Sequence, residues 1–463
     1  MRYLENKVED IKIAYIGGGS KGWAWGLMSD LAVAEDISGK VFLYDIDFEA
    51  AKNNEIIGNS IKKCEKCKSD WNYKAVHTIG EALTDADFVI ISILPATFDE
   101  MASDVHCPEK YGIFQTVGDT TGPGGIIRAL RTIPMIEEIG MAIKEFCPDA
   151  WVINYTNPMA VCVRTLYNVF PEIKAFGCCH EVFGTQDLLR AALKKICDIS
   201  DVKREEINVN VLGVNHFTWI TRAQYKNIDL FPIYEKFIKL CREQGYKFED
   251  KDHWINSAWI SDQKVKFDLF ERYGYIAAAG DRHLVEFCEK NWYLKSPEHL
   301  KEWGVELTTV DWRKDDLKKR CEKSRKMLNG EMEFEIKETG EEGVNQIRAL
   351  IGLSTLVTNV NIPNKGQIPN LPKDIVVETN ACFRSNSVEP VFAGAIPDNI
   401  HPLVTRIADE QQLVTDGAYS RDLNKVFCAF LNNPLNDLSI KDSKDLFYEM
   451  IENTKKYLST YEI

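Results

Sequence analysis

Residues 11 to 22 read IKIAYIGGGSKG, and this stretch decides the fold of the chain. Ile11 to Ile16 is an apolar strand, and the glycines that follow open a helix predicted from about Trp23 to Val33. The spacing of Gly17, Gly19 and Gly22 permits a tight turn, a close backbone approach to a pyrophosphate and the packing of helix on strand. Free N–H groups at the helix start favour anions. The stretch therefore predicts a dinucleotide site formed by these three glycines and Ser20.

Asp45 supports this prediction from the end of the next strand, Val41 to Tyr44. An acidic residue at this place binds the ribose hydroxyls, and its charge favours NAD over NADP because it repels the extra phosphate. The alternative is that Asp45 is a turn residue or a helix cap, since the sequence continues Ile46-Asp47.

Further apolar strands alternate with helical segments up to about residue 200, at Phe88 to Ile93, Trp151 to Asn154 and Ile173 to Gly177. This alternation predicts an α/β fold with a Rossmann-type, doubly wound parallel sheet in residues 1–200. Residues 201–463 are predicted to form a mixed α+β, helix-rich second domain, as in lactate and malate dehydrogenases. Its predicted strands are Asn208 to Val214 and Phe217 to Thr221, and its predicted helices are Leu230 to Gln244, Trp254 to Arg272, Asp315 to Leu328, Glu342 to Leu356, Val404 to Leu431 and Ser443 to Leu458.

Composition excludes several kinds of partner. The net charge of −14 argues against nucleic-acid binding, which depends on clustered Lys and Arg. No run approaches the roughly 18 apolar residues of a membrane span, and Met1 to Asp10 lacks the apolar core of a signal peptide. The thirteen cysteines are scattered and odd in number, which favours reduced thiols in the cytoplasm.

Cys179 and His216 suggest a metal beside the dinucleotide, because each follows a predicted strand and ligands bind at such strand ends. Two protein ligands leave coordination positions open for a substrate. The alternatives are a core cysteine and a structural histidine. A thiolate ligand by itself favours zinc or iron over manganese.

Three other polar segments are predicted to lie at the same edge. Gly118 to Gly125 contains Asp119, and Asn154 to Pro158 contains amides suited to sugar hydroxyls or to the nicotinamide ribose. Gly280 to His283 offers a base, a cation and an imidazole. The alternatives are a plain Asn-Pro turn and a helix capped by Asp281.

The order of these motifs resembles glycoside hydrolase family 4, the NAD- and divalent-metal-dependent glycosidases, over nearly the full chain. The tetrad Cys179-His180-Glu181-Val182 is similar to that of members acting on α-galacturonides. Members acting on phosphorylated sugars carry Cys-Asn or Cys-Asp instead. The resemblance therefore implies an unphosphorylated uronide, such as a pectin-derived oligogalacturonide.

The resemblance also implies a mechanism. NAD removes hydride from C3 of the sugar, a base removes the C2 proton, and Mn²⁺ or another divalent metal on Cys179 and His216 stabilises the enediolate. The C1–O bond breaks by elimination, water adds, and the hydride returns. Such a mechanism does not need the usual pair of glycosidase carboxylates.

Residue roles follow from the same resemblance. Asp281 is the predicted base, with Tyr275 as the alternative, and His180 the predicted general acid, with Asp119 second. Asn157 and Asn215 are expected to hold substrate hydroxyls or to orient the metal shell. Arg131 and Arg282 are candidates to bind the uronate carboxylate. Glu181 is assigned to the substrate, although an acid there would repel a uronate unless it contacts a hydroxyl, is neutral or pairs with that arginine.

Other functions stay open. The same chemistry suits α-glucosides, α-galactosides and α-glucuronides. A 2-hydroxy-acid dehydrogenase or a non-catalytic NAD sensor would share the glycine loop. A homodimer or homotetramer is expected.

Overall fold

The parallel sheet forms where the sequence predicts it. The computed structural model describes residues 1–248 and 261–463. Parallel strands follow the spatial order β4-β3-β2-β5-β6-β7, so the direction of winding reverses between β2 and β5, and ligands bind at that switch point in such sheets. The strands are β1 (Arg2–Tyr3), β2 (Val8–Ile16), β3 (Ile37–Tyr44), β4 (Trp71–Val76), β5 (Phe88–Ile91), β6 (Trp151–Asn154) and β7 (Lys174–Gly177).

Helices cover both faces of this sheet, which buries β5 completely and explains why its sequence is continuously apolar. The first helix has the predicted bounds. The helices are α1 (Trp23–Val33), α2 (Phe48–Ser60), α3 (Ile79–Leu83), α4 (Phe98–His106), α5 (Gly122–Phe146), α6 (Met159–Val169) and α7 (Glu181–Cys197).

A second, antiparallel sheet follows α7. Its central strand is β9, which pairs with β8, β10 and β11. The β8–β9 turn contains Asn215 and His216, so the predicted strand pair is confirmed. The strands are β8 (Ile207–Val214), β9 (Phe217–Tyr225), β10 (Ile228–Asp229) and β11 (Ile276–Ala277).

The parallel sheet extends across the domain boundary predicted at residue 200. Three antiparallel strands from the C-terminal half add to β7 in the order β7-β12-β13-β14 and complete a 10-stranded sheet. The sequence did not predict them, because β12 carries buried Asn359 and Asn361 where a strand pattern would place apolar residues. The strands are β12 (Leu356–Pro363), β13 (Val376–Arg384) and β14 (Ser387–Pro390).

The C-terminal half is rich in helices, as predicted, although their bounds differ. The helix predicted from Val404 to Leu431 is two helices, since Arg421 adopts φ 62° and Asp422 caps the second one. The first part of the helix predicted from Trp254 to Arg272 lies outside the described residues. The helices are α8 (Phe231–Cys241), α9 (Lys264–Tyr273), α10 (Asp281–Leu284), α11 (Lys290–Tyr293), α12 (Pro297–Glu302), α13 (Val310–Leu328), α14 (Gly343–Leu350), α15 (His401–Tyr419), α16 (Leu423–Asn432) and α17 (Ile440–Thr454).

Within the described ranges, none of the helices combines the length and the apolar character that crossing a bilayer requires. All thirteen cysteines are free thiols.

Candidate active site

The glycine loop between β2 and α1 brings its backbone to the switch point. Gly17 has φ +93°, and a Cβ there would lie 2.0 Å from the Ser92 carbonyl oxygen. A Cβ on Gly19 would lie 2.7 Å from the Ala50 Cβ. The loop therefore admits no side chains at these positions, as a backbone cradle for a pyrophosphate requires.

Asp45 holds this loop closed from the end of β3. Its Oδ2 accepts a hydrogen bond from the Gly19 N–H at 2.8 Å, and its Oδ1 accepts one from the Asp47 N–H at 2.9 Å. Asp47, rather than Asp45, caps α2. Asn54 was missed by the sequence reasoning, yet its amide donates to the carbonyls of Gly18 and Ser20 and fixes the loop from α2.

Asn154 shapes a turn at the end of β6. Its amide donates to the Thr156 carbonyl at 2.9 Å and its oxygen accepts from the Thr156 N–H at 3.3 Å. Both ends of this buried side chain are therefore engaged by the backbone of the turn. A contact between Asn154 and the cofactor stays a prediction.

Among the described residues, Asp119, His216 and His283 form a group that could hold a metal ion, called the metal-ligand group below, with one ligand atom from each lying within 4.8 Å of the others. Asp119 precedes α5, His216 lies in the β8–β9 turn and His283 lies on α10. The two imidazoles stack with ring centroids 3.7 Å apart. His216 has φ 63°, an uncommon backbone conformation for a non-glycine residue and one that recurs at functional sites.

Thr120 orients the His216 ring. Its hydroxyl donates to Asp119 Oδ1 at 2.7 Å, so its oxygen accepts from the His216 Nδ1–H at 3.1 Å. This bond leaves the His216 Nε2 lone pair for a metal, the usual arrangement of a metal-binding imidazole and its outer-shell partner.

Ionisation in this group suits a divalent cation. Burial and the adjacent His283 lower the pKa of His216 to about 3, so the ring is neutral at pH 7. Burial alone would raise the pKa of Asp119, but the imidazoles of His283 and His216 and the guanidinium of Arg128 lower it to about 2. Imidazole nitrogens and a carboxylate oxygen are ligands that suit ions such as Mn²⁺ or Fe²⁺, and three protein ligands leave coordination positions open.

Replacing Thr120 with valine should weaken Mn²⁺ binding about 10- to 100-fold, because the His216 ring loses the hydrogen bond that fixes its tautomer. Titration of the NAD-loaded protein with Mn²⁺, followed by electron paramagnetic resonance, measures this change. Thr84→Val, at an exposed hydroxyl that bonds only the Gly80 carbonyl, is the control. Unchanged Mn²⁺ affinity in Thr120→Val would contradict the orienting role.

Cys179 lies beside this group rather than in it. Its side chain is 7% exposed, and burial together with the Glu378 and Glu181 carboxylates raises the thiol pKa. Glu378, on β13, accepts hydrogen bonds from Asn215 at 3.1 Å and from Asn359 at 2.7 Å, and Asn359 also donates to the Cys179 carbonyl. A bound cation would favour the thiolate, and Cys179 stays a predicted ligand.

Two predicted substrate residues have unpaired buried oxygens. Asn157 donates to Asp119 Oδ2 at 3.3 Å, and Asn215 donates to Glu378, but the Oδ1 atom of each is buried without a hydrogen-bond partner among the described residues. Buried polar atoms are usually satisfied. Both oxygens are therefore available to a sugar hydroxyl or to the metal shell, as the sequence predicts.

His180 and Glu181 connect the glycine loop to the metal-ligand group. The His180 ring lies 5.9 Å from the ring of Trp23, the first residue of α1, and its Nδ1 is 2.8 Å from Glu341. Glu181 accepts from the Gly280 N–H at 2.7 Å and lies 3.7 Å from His283. The motif thus lies between the two halves of the site.

Glu181 left open what compensates an acidic side chain beside an anionic substrate, and its charged neighbours show this. Burial opposes its ionisation, but His283, His180 and His216 lower its pKa to about 2, so it is an anion held by imidazoles rather than by an arginine. Burial lowers the pKa of His180, but Glu341 outweighs it and raises that pKa to about 9. His180 therefore carries a proton at neutral pH, which a general acid requires. Its pKa is higher than the near-neutral value that the sequence suggested.

The two predicted bases occupy different places. Asp281 is fully buried and accepts hydrogen bonds from the Val265 and Lys266 N–H groups, so it caps the first turn of α9. The N-cap of α10, the helix on which Asp281 itself lies, is Gly280. Tyr275 lines a surface pocket of about 530 Å³ with Arg222, Asp229 and Asn399, which contains no other predicted site residue. None of the residues that line this pocket belongs to the glycine loop or to the group of Asp119, His216 and His283.

The two predicted carboxylate-binding arginines also differ. Arg131 is fully buried and pairs with both oxygens of Asp104, while its Nε donates to the Pro95 carbonyl. These contacts engage each guanidinium nitrogen in the protein interior. Arg282 donates to the Thr308 hydroxyl, and its carbonyl accepts from Thr116, two residues before Gly118.

Comparison with known proteins identifies the family. Residues 12–195 match the family described as family 4 glycosyl hydrolase, and residues 211–436 match the C-terminal domain of the same family. The chain belongs to glycosyl hydrolase family 4. It is therefore a glycosidase, as the order of its motifs predicts.

Several relatives match nearly the full length of the chain. An α-galacturonidase of Thermoanaerobacterium saccharolyticum is 61% identical over 100% of both chains, and one of Bacillus subtilis is 51% identical over 96% of this chain and 98% of the relative. An α-galactosidase of Bacillus subtilis is 28% identical over 93% of this chain and 95% of the relative.

Solved structures show the same fold. The Bacillus subtilis protein lplD superposes with a TM-score of 0.91 at 51% identity, covering 96% of this chain and 100% of that one. A 6-phospho-β-glucosidase of Thermotoga maritima, solved with manganese, NAD⁺ and glucose-6-phosphate, has a TM-score of 0.76 at 23% identity, covering 96% and 99%. These matches confirm the predicted Rossmann-type fold with a helix-rich C-terminal part.

Proposed function

We propose that this family 4 glycosidase cleaves α-galacturonides, such as pectin-derived oligogalacturonides, with NAD and Mn²⁺ or a similar divalent cation. The full-length likeness to α-galacturonidases supports the substrate. The single observation that supports the chemistry is the contact sequence from Trp23 through His180 and Glu181 to His283, which places the glycine loop and the metal-ligand group in one site.

The residues present fit both groups. The side-chain-free loop at Gly17 and Gly19 fits a dinucleotide, with Asp45 as the proposed ribose partner, and the donor set of Asp119, His216 and His283 fits a divalent cation, with Cys179 as a proposed further ligand. NAD would supply reversible oxidation at C3 of the sugar, and the cation would acidify its C2 hydrogen.

Protein side chains would move the protons. His180 is protonated and lies where the nucleotide loop meets the metal-ligand group, so it is the proposed acid for the leaving oxygen, with Asp119 as the alternative. Asp281 stays the proposed C2 base because it lies on α10 with His283, and Tyr275 is the alternative. The unpaired Oδ1 atoms of Asn157 and Asn215 would accept from sugar hydroxyls.

A substrate panel tests this proposal. With NAD, Mn²⁺ and a thiol reductant, we expect release of sugar from aryl α-galacturonides without net accumulation of NADH, and little turnover of α-glucuronides, α-glucosides or α-galactosides. Stoichiometric NADH would indicate a 2-hydroxy-acid dehydrogenase, and inactivity on every substrate would indicate an NAD sensor.

Isotope exchange tests the route through C2. A substrate carrying deuterium at C2 should lose the label to solvent during turnover, because elimination requires removal of that hydrogen, and mass spectrometry of the released galacturonate measures it. A substrate labelled at C5 serves as the control. Full retention of the C2 label would exclude elimination.

We further propose a cytoplasmic homodimer or homotetramer. Thirteen free thiols support a reducing compartment. Exposed Val357, Val391 and Phe392 on and after the C-terminal strands support association of subunits. Light scattering coupled to size-exclusion chromatography measures the mass, and a monomer at micromolar concentration would contradict the assembly.

A further inference from the structure

Helix α13 brings to the loop that carries Asp119 an arginine with no carboxylate partner in the described part of the chain. Arg313 lies in the first turns of this helix, and its Nη2 donates to the Val117 carbonyl at 2.8 Å, two residues before Asp119. Its Nε is buried and has no acceptor, and no carboxylate among the described residues forms an ion pair with it. A buried, unsatisfied donor on a permanently charged group is costly.

A neighbouring arginine shows what Arg313 lacks. Arg131 is paired with both oxygens of Asp104. Among the described residues, Arg313 instead has one backbone oxygen as its hydrogen-bond partner. Because a guanidinium presents its donors as a fork that matches a carboxylate, the free side of Arg313 suits an incoming anion.

Glu286, a buried acid beside this loop, does not pair with Arg313. Its carboxylate accepts hydrogen bonds from the Val117 and Gly118 N–H groups. The loop itself therefore holds this carboxylate, and no ion pair joins it to Arg313 among the described residues.

We infer that Arg313 binds the carboxylate of the uronide whose ring hydroxyls occupy the group of Asp119, His216 and His283. This inference rests on the proposed α-galacturonide substrate and names the residue that selects it. Arg313 reaches the site from α13, whereas the sequence offered only Arg131 and Arg282. The same helix places the Arg320 guanidinium against Gly22 of the nucleotide loop, so α13 extends over both parts of the site.

The inference predicts a specific loss in Arg313→Gln, which removes the charge while keeping a similar length. Affinity of the NAD- and Mn²⁺-loaded enzyme for free galacturonate, measured by calorimetry, should fall about 10²-fold, because a charge-assisted bidentate contact is lost. The KM for an aryl α-galacturonide should rise by a similar factor. Arg313→Lys keeps the charge without the fork and should lose about 10-fold.

Arg325→Gln is the matched control, since Arg325 lies on the same helix but is exposed and paired with Glu322 and Glu331. It should leave galacturonate affinity unchanged. Mn²⁺ content, NAD affinity and the thermal midpoint of each variant separate loss of the carboxylate contact from damage to the site or the fold. The Arg313→Lys result decides the matter if Arg313→Gln is unfolded.

The experiments distinguish a failure of the proposed function from a failure of the role assigned to Arg313. If the wild-type enzyme does not cleave α-galacturonides, the proposed function is wrong, whatever the variants do. If galacturonate affinity in Arg313→Gln and Arg313→Lys stays within about threefold of wild type, or if the wild type binds galactose as tightly as galacturonate, the carboxylate role of Arg313 is overturned.

Discussion

His216→Ala is expected to reduce kcat/KM about 10³-fold with NAD binding nearly unchanged. His216 is one of three residues whose ligand atoms lie within 4.8 Å of one another, and its neutral, Thr120-oriented ring suits a divalent cation. Loss of the cation removes charge stabilisation of about 4 kcal/mol, which corresponds to this factor in rate. The proposed NAD contacts lie at the glycine loop and should survive. Chelation and manganese repletion, with NAD affinity measured in parallel, give the comparison.

His283→Ala and Cys179→Ser extend this experiment to the ligand set. His283→Ala should match His216→Ala, because its ring stacks on that of His216 in the same group. Cys179→Ser should also abolish metal-dependent activity if the thiolate is a ligand. His299→Ala, outside the site and bonded to the Trp292 carbonyl, is the control. Wild-type turnover of His216→Ala after repletion would refute the metal assignment.

Arg131→Met is expected to lower the free energy of unfolding by about 3–5 kcal/mol, with KM for an aryl α-galacturonide unchanged in the folded fraction. The side chain is fully buried, and its loss would leave the buried Asp104 carboxylate unpaired. Removal of one partner of a buried ion pair has this cost. Urea denaturation monitored by fluorescence measures the change, provided that the transition is two-state.

A double-mutant cycle sharpens this test. Asp104→Leu in the Arg131→Met background should recover part of the stability, because the unpaired charge is gone. Lys110→Met, which removes the exposed ion pair with Glu449, should cost at most about 1 kcal/mol. If Arg131→Met unfolds like wild type and instead raises KM, then Arg131 binds the substrate carboxylate, as the sequence suggested.

The two arginines show where sequence reasoning stops. Arg131 and Arg282 were candidates because an arginine suits a uronate, and residue type was the whole of the evidence. The structure pairs Arg131 with Asp104 on α4 and brings Arg313 from a distant helix to the loop before Asp119. Pairing of buried charges depends on which helices pack together, and that information is absent from the local sequence.

The metal-ligand group shows the same limit. From the sequence, Asp119 was a candidate general acid and His283 was part of a polar cluster. The predicted metal ligands were Cys179 and His216. Glu378, which anchors Asn215 and Asn359, had no sequence signal because its strand was not predicted.

By itself, the sequence determined the nucleotide loop and the parallel sheet, because glycine spacing and apolar periodicity act over a few residues and are written in consecutive positions. The order of its motifs indicated the family by resemblance. Only the tertiary structure decided that Asp119, His216 and His283 meet, that strands from the C-terminal half extend the sheet, and that Arg131 pairs with Asp104. These features depend on distances between side chains far apart in the chain, which are fixed when the two sheets and their helices pack.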